Sequence, residues 1–115
     1  MSVEIVITDN FKKEAKRLIK KYASLKNELV SLQQELEENP RLGTLIMENI
    51  YKIRLAVKSK GKGKSGGLRV ISMVEDEIAE EDLTNTIVNM LSIYDKSEIA
   101  NLSDKEIREL INELE

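Results

Sequence analysis

A β-hairpin pattern in the middle of the chain constrains the fold more than any other feature of the sequence. In NIYKIRLAV, residues 49–57, apolar side chains alternate with polar or small ones that include Lys52 and Arg54. This period of two is typical of a half-buried strand. A second apolar run, LRVISMV at 68–74, follows the stretch KSKGKGKSGG, and a third, TIVNMLSIY at 86–94, follows an acidic turn. Successive strands with short connections favour antiparallel pairing, so this half of the chain predicts an antiparallel sheet.

The first forty residues predict a strand followed by a helical hairpin. Residues 3–8 are rich in β-branched side chains and predict a short strand. Asp9 or Asn10 is the expected N-cap of the first helix, in which apolar residues recur at helical spacing. Ser24 is the expected N-cap of a second, leucine-striped helix, which must end near Pro40 because proline disfavours the helical conformation of the residue before it.

The end of the chain predicts a final helix and completes the fold class. Ser103 and Glu106 match the S-x-x-E capping box, and an apolar stripe follows them. The predicted order is β-α-α-β-β-β-α in an α+β fold. We expect the N-terminal strand to join the sheet and the first two helices to pack on one face, which leaves the opposite face open. With no internal repeat or linker, residues 1–115 are expected to form a single domain.

The absence of two residue types excludes several kinds of catalytic site. The chain has no cysteine and no histidine, so disulfides, thiolate or histidine metal sites and Ser-His or Cys-His nucleophile pairs are excluded. Any catalysis must use Lys, Arg, Tyr, Asp, Glu or backbone groups. The N-terminus has no signal-peptide pattern and no apolar run reaches membrane-spanning length, so we expect a cytoplasmic protein without membrane contact.

Positive charge is concentrated in one segment of an acidic protein. Residues 51–74 hold seven cations and no acid, although the net charge of the chain is −3. The segment from Glu75 to Asp82 then contains six acids, which can repel a polyanion or form ion pairs with the basic loop. A binding site responds to its local field, so the basic segment indicates contact with a polyanion. The loop lysines expected to contact an RNA backbone are Lys58, Lys60, Lys62 and Lys64; the alternative is a solvated, flexible hairpin loop.

Four segments in a fixed order resemble the RelE/ParE toxin superfamily. They are FKKEAKRLIKKY, LQQELEENPRLGT, NIYKIRLAVKSKGKGKSGGLRVI and LSIYDKSE, and the resemblance spans roughly residues 3 to 112. It implies a toxin of a toxin–antitoxin pair, with a helical hairpin packed on a twisted, mainly antiparallel sheet. RelE-type members cut mRNA in the ribosomal A site, whereas ParE-type members poison DNA gyrase.

The resemblance also implies a metal-independent reaction without a cofactor. In RelE-type cleavage the 2′-OH of the RNA attacks the adjacent phosphate, and basic side chains stabilise the added negative charge. The positions that match the family's Lys, Arg and Tyr site residues are Lys52, Arg54, Arg69, Tyr94 and Lys96.

Four of these positions also have an alternative explanation in the sequence itself. Lys52 and Arg54 lie two residues apart and share a strand face, which is either a phosphate site or an ordinary solvated face. Arg69 lies within an apolar strand and needs a carboxylate, such as Glu48 or Glu98, or a ligand that it binds in a bidentate manner. Tyr94 alone is more typical of a core or rim position.

The implied partners follow from the same resemblance. They are a cognate antitoxin protein and mRNA on the ribosome, or alternatively DNA gyrase. Because the chain is acidic overall, whereas RelE-type nucleases are usually strongly basic, a second hypothesis stays open. It is a gyrase inhibitor of ParE type, or a RelE-fold binding protein with weak or no nuclease activity.

Overall fold

Five strands and three helices make up the part of the protein that the structure describes. The computed structural model describes residues 2–61, 63, 66–78 and 84–114. The strands are β1 (Ser2–Ile7), β2 (Thr44–Met47), β3 (Ile50–Leu55), β4 (Leu68–Ile78) and β5 (Thr84–Asp95). The helices are α1 (Asp9–Lys21), α2 (Leu25–Glu38) and α3 (Asp104–Asn112), with a 3-10 turn at Lys58–Lys60.

The strands form one mixed sheet in the order β1-β5-β4-β3-β2. Strand β1 is parallel to β5, and the other neighbours are antiparallel, which confirms the predicted α+β fold with a mainly antiparallel sheet. Strand β2 was not predicted. It is a four-residue edge strand that turns into β3 through Asn49, whose φ of 65° lies in the left-handed region. A strand this short carries no readable alternation.

The helical hairpin lies on one face of the sheet, as predicted. Phe11 and Leu18 of α1 and Leu25 and Leu36 of α2 are buried against the sheet in the larger of two apolar cores. The N-cap of α1 is Thr8 rather than Asp9 or Asn10: its hydroxyl accepts the backbone N–H of Phe11 at 3.3 Å. Thr8 also donates to the carbonyl of Met90 at 2.7 Å, which ties the start of α1 to β5.

The opposite face is only partly open, which corrects the expectation from sequence. Helix α3 packs there through Ile107, which is buried with Ile50, Ile71 and Leu91 in a second core. The predicted capping box is present at its start, with both Ser103–Glu106 hydrogen bonds formed. Amphipathic α3 needs an apolar surface, and the middle of the sheet provides it. The part of this face that α3 leaves uncovered lies near Leu68, where β4 starts.

A β-bulge in β5 determines which residues reach the uncovered area. Ile71 pairs with Ser92 and Ser72 pairs with Met90, so Leu91 is an extra residue in the ladder. Met90 and Ile93 therefore both face the helical hairpin, whereas Leu91 and Tyr94 face α3. An unbroken period of two would put Tyr94 on the same face as Met90.

No helix in the described parts of the chain combines the length and the apolar character that crossing a bilayer requires.

Candidate functional site: a basic cleft on the sheet

Three predicted site residues form a row across the sheet. In the strand register Arg54 of β3 lies opposite Arg69 of β4, and Arg69 lies opposite Tyr94 of β5. Because directly paired residues point to the same face, these three side chains share the face that also carries α3. Lys52 shares this face too, since it lies two residues from Arg54.

The row lines a cleft of about 380 Å³ between the sheet, strand β2 and the loop before α3. All five side chains predicted as catalytic lie around it. Among the described residues that line the cleft, four are cationic and none is acidic. The described residues of the lining are Thr44, Ile46, Lys52, Arg54, Arg69, Tyr94, Lys96, Ala100 and Asn101.

Arg69 is the buried cation of the cleft. Only 5% of the residue is exposed, and its guanidinium donates to the carbonyl of Leu68 at 3.1 Å. Of the two acids considered from sequence as ion-pair partners, Glu98 pairs with Arg17 at 2.6 Å and with Lys21 at 3.2 Å. The buried position of Arg69 places a permanent charge in a poorly hydrated environment, where electrostatic attraction to an anion is strong.

Tyr94 is both a core residue and a cleft residue. Its ring packs with Leu91 and Ile107, and 2% of the residue is exposed. Burial raises the pKa of the Tyr94 hydroxyl, although a hydrogen bond from the backbone of Leu102 and the charge of Arg69 act in the opposite direction. The hydroxyl therefore keeps its proton at neutral pH and is a hydrogen-bond donor rather than an anion.

Asn101 joins the cleft and was not predicted. Its side-chain oxygen accepts the ammonium of Lys52 at 2.9 Å and lies 3.4 Å from the hydroxyl of Tyr94. The residue belongs to the loop between β5 and α3, which carries Lys96 at its other end. Its place before the capping box was visible in the sequence, but only the docking of α3 brings it over the sheet.

The loop lysines do not form one uniform rim. Lys58 is exposed, as a nucleic-acid contact requires. Lys60 is different: its ammonium binds the buried carboxylate of Asp95, and 7% of its side chain is exposed. This corrects the prediction for Lys60, because a buried, paired ammonium on the helical side of the sheet does not face the cleft. Lys62 and Lys64 lie outside the described residues.

The described part of the acidic segment lies far from the cleft. Arg69 and Asp76 are seven residues apart on β4, a span of roughly 23 Å at about 3.3 Å per residue. Asp76 accepts from Thr86 at 2.9 Å and from Arg41 at 2.7 Å, and both bonds lower its pKa. The described acids of this segment, Glu75 to Glu77, therefore stand at the distant end of the β4–β5 hairpin. Glu80 to Asp82 lie outside the described residues.

A second surface lies on the other side of the sheet. A groove of about 520 Å³ runs between β1, α1 and α2, with an apolar floor that includes Phe11, Ile19 and Leu29. Ile7 and Val30 on this groove are 51% and 53% exposed. Its polar rim contains no acid among the described residues; the lysines around it are Lys12, Lys16, Lys20 and Lys26.

Comparison with known proteins identifies the fold. No protein-family model matches this sequence. Among solved structures, the chain is similar to the E. coli toxin RelE, determined in the free state as a mutant with two arginine-to-alanine substitutions. The match covers 100% of both chains with a TM-score of 0.58 and 17% sequence identity. The element order, the mixed sheet and this full-length match together show that the chain has the RelE fold.

Proposed function

We propose that this protein is a RelE-type toxin that cuts mRNA on the ribosome and thereby represses translation. The observation that carries the proposal is the cleft, where four cations and a tyrosine converge without a negative charge among the described lining residues. Such a site suits a phosphodiester. The match to RelE supports the same class of protein.

The paired arginines support binding of a phosphate in particular. Arg54 and Arg69 lie directly opposite each other on neighbouring strands. Like charges in this arrangement repel, so an anion bound between them is favoured by both. The planar guanidinium of Arg69 can bind two phosphate oxygens at once, and its burial keeps water from competing. We assign Arg69 to the scissile phosphate and Arg54 to the charge that develops during attack.

The remaining side chains supply proton transfer and orientation. The protonated hydroxyl of Tyr94 can donate a proton to the leaving 5′-oxygen or a hydrogen bond to the phosphate. The ammonium of Lys52 donates to Asn101 at 2.9 Å, and we assign it to the 2′-OH side of the same phosphate. Lys96 on the opposite rim contributes a further phosphate contact as the ammonium, which has no acceptor, and removes the 2′-OH proton only as the neutral amine. The reaction forms a 2′,3′-cyclic phosphate and breaks the bond to the 5′-oxygen.

The proposal is tested by mapping mRNA 5′ ends after inducible expression, and then in a purified system with and without ribosomes. We expect cuts within translated frames that need ribosomes. Arg69→Ala is expected to lower the cleavage rate by roughly 100-fold, since one preorganised charge at a transition state is worth about this much. Lys13→Ala, an exposed cation on α1, is the matched control and should cleave like the wild type.

Two results would contradict the nuclease assignment. One is growth arrest that persists unchanged in Arg69→Ala and Lys52→Ala. The other is a toxic wild-type protein that produces no new 5′ ends but inhibits supercoiling by purified DNA gyrase. The second result would favour the ParE-type alternative.

We also propose that a cognate antitoxin occupies the lysine-rimmed groove with an acidic amphipathic segment. The apolar floor suits the apolar face of such a segment, and four rim lysines suit acids beside it. The test is co-purification with the product of a small neighbouring reading frame. Val30→Glu should abolish capture, whereas Ile78→Glu, at a residue 88% exposed outside the groove, should not. Equal capture by both variants would exclude the groove.

A further inference from the structure

A buried carboxylate behind the cleft joins four segments of the chain. The side chain of Asp95 has no exposed surface. It accepts hydrogen bonds from the hydroxyl of Tyr22 and from the ammonium of Lys60. It also accepts the backbone N–H of Ser97 at 2.9 Å and the hydroxyl of Ser97 at 2.7 Å. A carboxylate at the end of β5 thus binds the end of α1, the 3-10 turn after β3 and the loop that leads to α3.

Further contacts close these bonds into a network. The ammonium of Lys60 also donates to the hydroxyl of Ser97 at 3.3 Å. The ammonium of Lys21 lies 3.6 Å from Asp95 and 3.2 Å from Glu98. Lys21 and Lys60 lie 5.3 and 5.8 Å from the centre of the Tyr22 ring, within the range of cation–π attraction. We call Asp95, Lys60, Tyr22, Ser97 and Lys21 the Asp95 network.

The Asp95 network lies behind the cleft and is joined to it through the backbone. Asp95 is flanked in sequence by Tyr94 and Lys96, which both line the cleft. Its own side chain points to the opposite side of the sheet, where Tyr22 belongs to the helical core. Ser97 begins the loop that carries Asn101 to Lys52. The network is therefore placed to hold one wall of the cleft without contacting RNA.

We propose that Asp95 and Lys60 are positioning residues, which hold the Lys96–Asn101 loop and the end of β5 where the cleft side chains converge on one phosphate. This inference rests on the proposed nuclease function. Removing one member of a buried ion pair leaves the other charge unpaired, so the loop must move to hydrate it. Small displacements of positioned groups reduce a rate strongly even when the reacting groups are intact.

The test compares Asp95→Asn and Lys60→Met with Lys13→Met, a change at an exposed lysine of α1 that lies outside the cleft and the Asp95 network. Circular dichroism first establishes conditions under which every variant is folded. We expect Asp95→Asn and Lys60→Met to lower kcat on mRNA-programmed ribosomes on the order of 10- to 100-fold with little change in KM. Lys13→Met should leave both kcat and KM unchanged. The double variant should lose no more than the worse single variant, because both changes break the same network.

Amide hydrogen exchange supplies a readout that does not depend on activity. In both variants exchange should accelerate in residues 96–101, while the pairing of β3 with β4 around Ile53 and Val70 stays protected. Unchanged exchange at 96–101, or an equal acceleration throughout the sheet, would overturn the proposal. A folded wild-type protein that cuts no mRNA would contradict the proposed function alone, and the exchange experiment would still decide whether Asp95 holds the loop.

Discussion

At the scale of single residues, one pair of like charges lowers the stability of the sheet but suits the binding of an anion. Arg54 and Arg69 face each other across two strands, an arrangement that ordinary sheet energetics disfavours. Arg54 is exposed and Arg69 is buried, so only the second is held firmly by packing. In the proposed function, an anion bound between the two guanidinium groups offsets this repulsion.

A substitution at Arg54 should therefore improve stability while it impairs cleavage. We expect Arg54→Gln to leave the free energy of unfolding unchanged or raise it by about 0.5 kcal/mol, because a cross-strand repulsion is lost. Cleavage should fall at least ten-fold, on the order of the loss of one charge-assisted contact. Urea unfolding and single-turnover cleavage measure the two quantities. A variant that loses both stability and activity would show that Arg54 has a structural role instead.

The buried carboxylate of Asp95 predicts how acid affects the fold. Burial raises the pKa of Asp95, but hydrogen bonds from Lys60, Ser97 and Tyr22 outweigh it and leave the pKa far below the ordinary value. A lowered pKa means that the charged form stabilises the fold above the ordinary carboxyl pKa of about 3.9, and that this contribution disappears as the pH falls below it.

We expect Asp95→Asn to lower the free energy of unfolding by about 3 kcal/mol at pH 7, the cost of breaking a buried pair. The gap between wild type and variant should narrow steadily as the pH is lowered through 4 toward 2, because only the wild type loses a stabilising charge. Urea denaturation across this pH range measures the gap. A gap that stays constant on acidification would contradict the lowered pKa.

At the scale of elements, the connection between β3 and β4 depends on a close backbone contact as well as on its charged residues. Gly67 is buried beside β3, and a Cβ there would lie 2.1 Å from the carbonyl oxygen of Leu55. This carbonyl belongs to the backbone of β3, which cannot move aside as a flexible side chain can. Because Gly67 has no side chain, the chain can approach β3 closely at the position just before β4 begins.

Gly67→Ala should test this close approach. We expect a loss of about 2 kcal/mol in the free energy of unfolding, from overpacking against backbone. Gly61→Ala is the matched change in the same connection: no atom lies within 4 Å of its Cβ position, but its φ of +74° favours glycine. Its cost should be about 1 kcal/mol. Thermal denaturation measures the loss of stability in each variant. Equal losses in the two variants would show that backbone conformation, and not the close contact with Leu55, sets the cost.

At the scale of the whole molecule, opposite charges are separated along a long body. The molecule extends 47 Å in its longest direction. The cleft contains cations, whereas the exposed acids Glu75 and Glu77 stand at the far end of the β4–β5 hairpin. This separation lets a protein of net charge −3 present a positive site.

Removing the negative charges of Glu75 and Glu77 should change the rate of association with the ribosome and not the rate of the chemical step. We expect Glu75→Gln with Glu77→Gln to raise kcat/KM about two-fold at low salt, because long-range repulsion of the ribosome falls. The gain should vanish at about 0.5 M salt, where the screening length is a few ångströms, and kcat should stay the same. Steady-state cleavage at several salt concentrations measures both, and a changed kcat would place these acids closer to the reaction than the fold indicates.

The sequence by itself determined the elements apart from β2 and indicated the candidate site residues. The alternation around Lys52 and Arg54 placed them on one face, the capping box at Ser103 marked the start of α3, and the order of elements led to the α+β fold. These signals are local, because strand periodicity and capping depend on residues a few positions apart. The RelE resemblance then selected the five residues that the structure gathers at one cleft.

Only the tertiary structure decided how β5 presents its last residues. Simple alternation from Met90 would send Tyr94 toward the helices and Asp95 toward the cleft. The extra residue at Leu91 reverses this arrangement. The hydroxyl of Tyr94 therefore enters the cleft, and the carboxylate of Asp95 binds Lys60 behind the cleft. A bulge forms when the pairing of one strand with its neighbours favours a shifted register. Here the interactions that favour the shift are made with β4 and with both cores, so the sequence of β5 alone does not predict it.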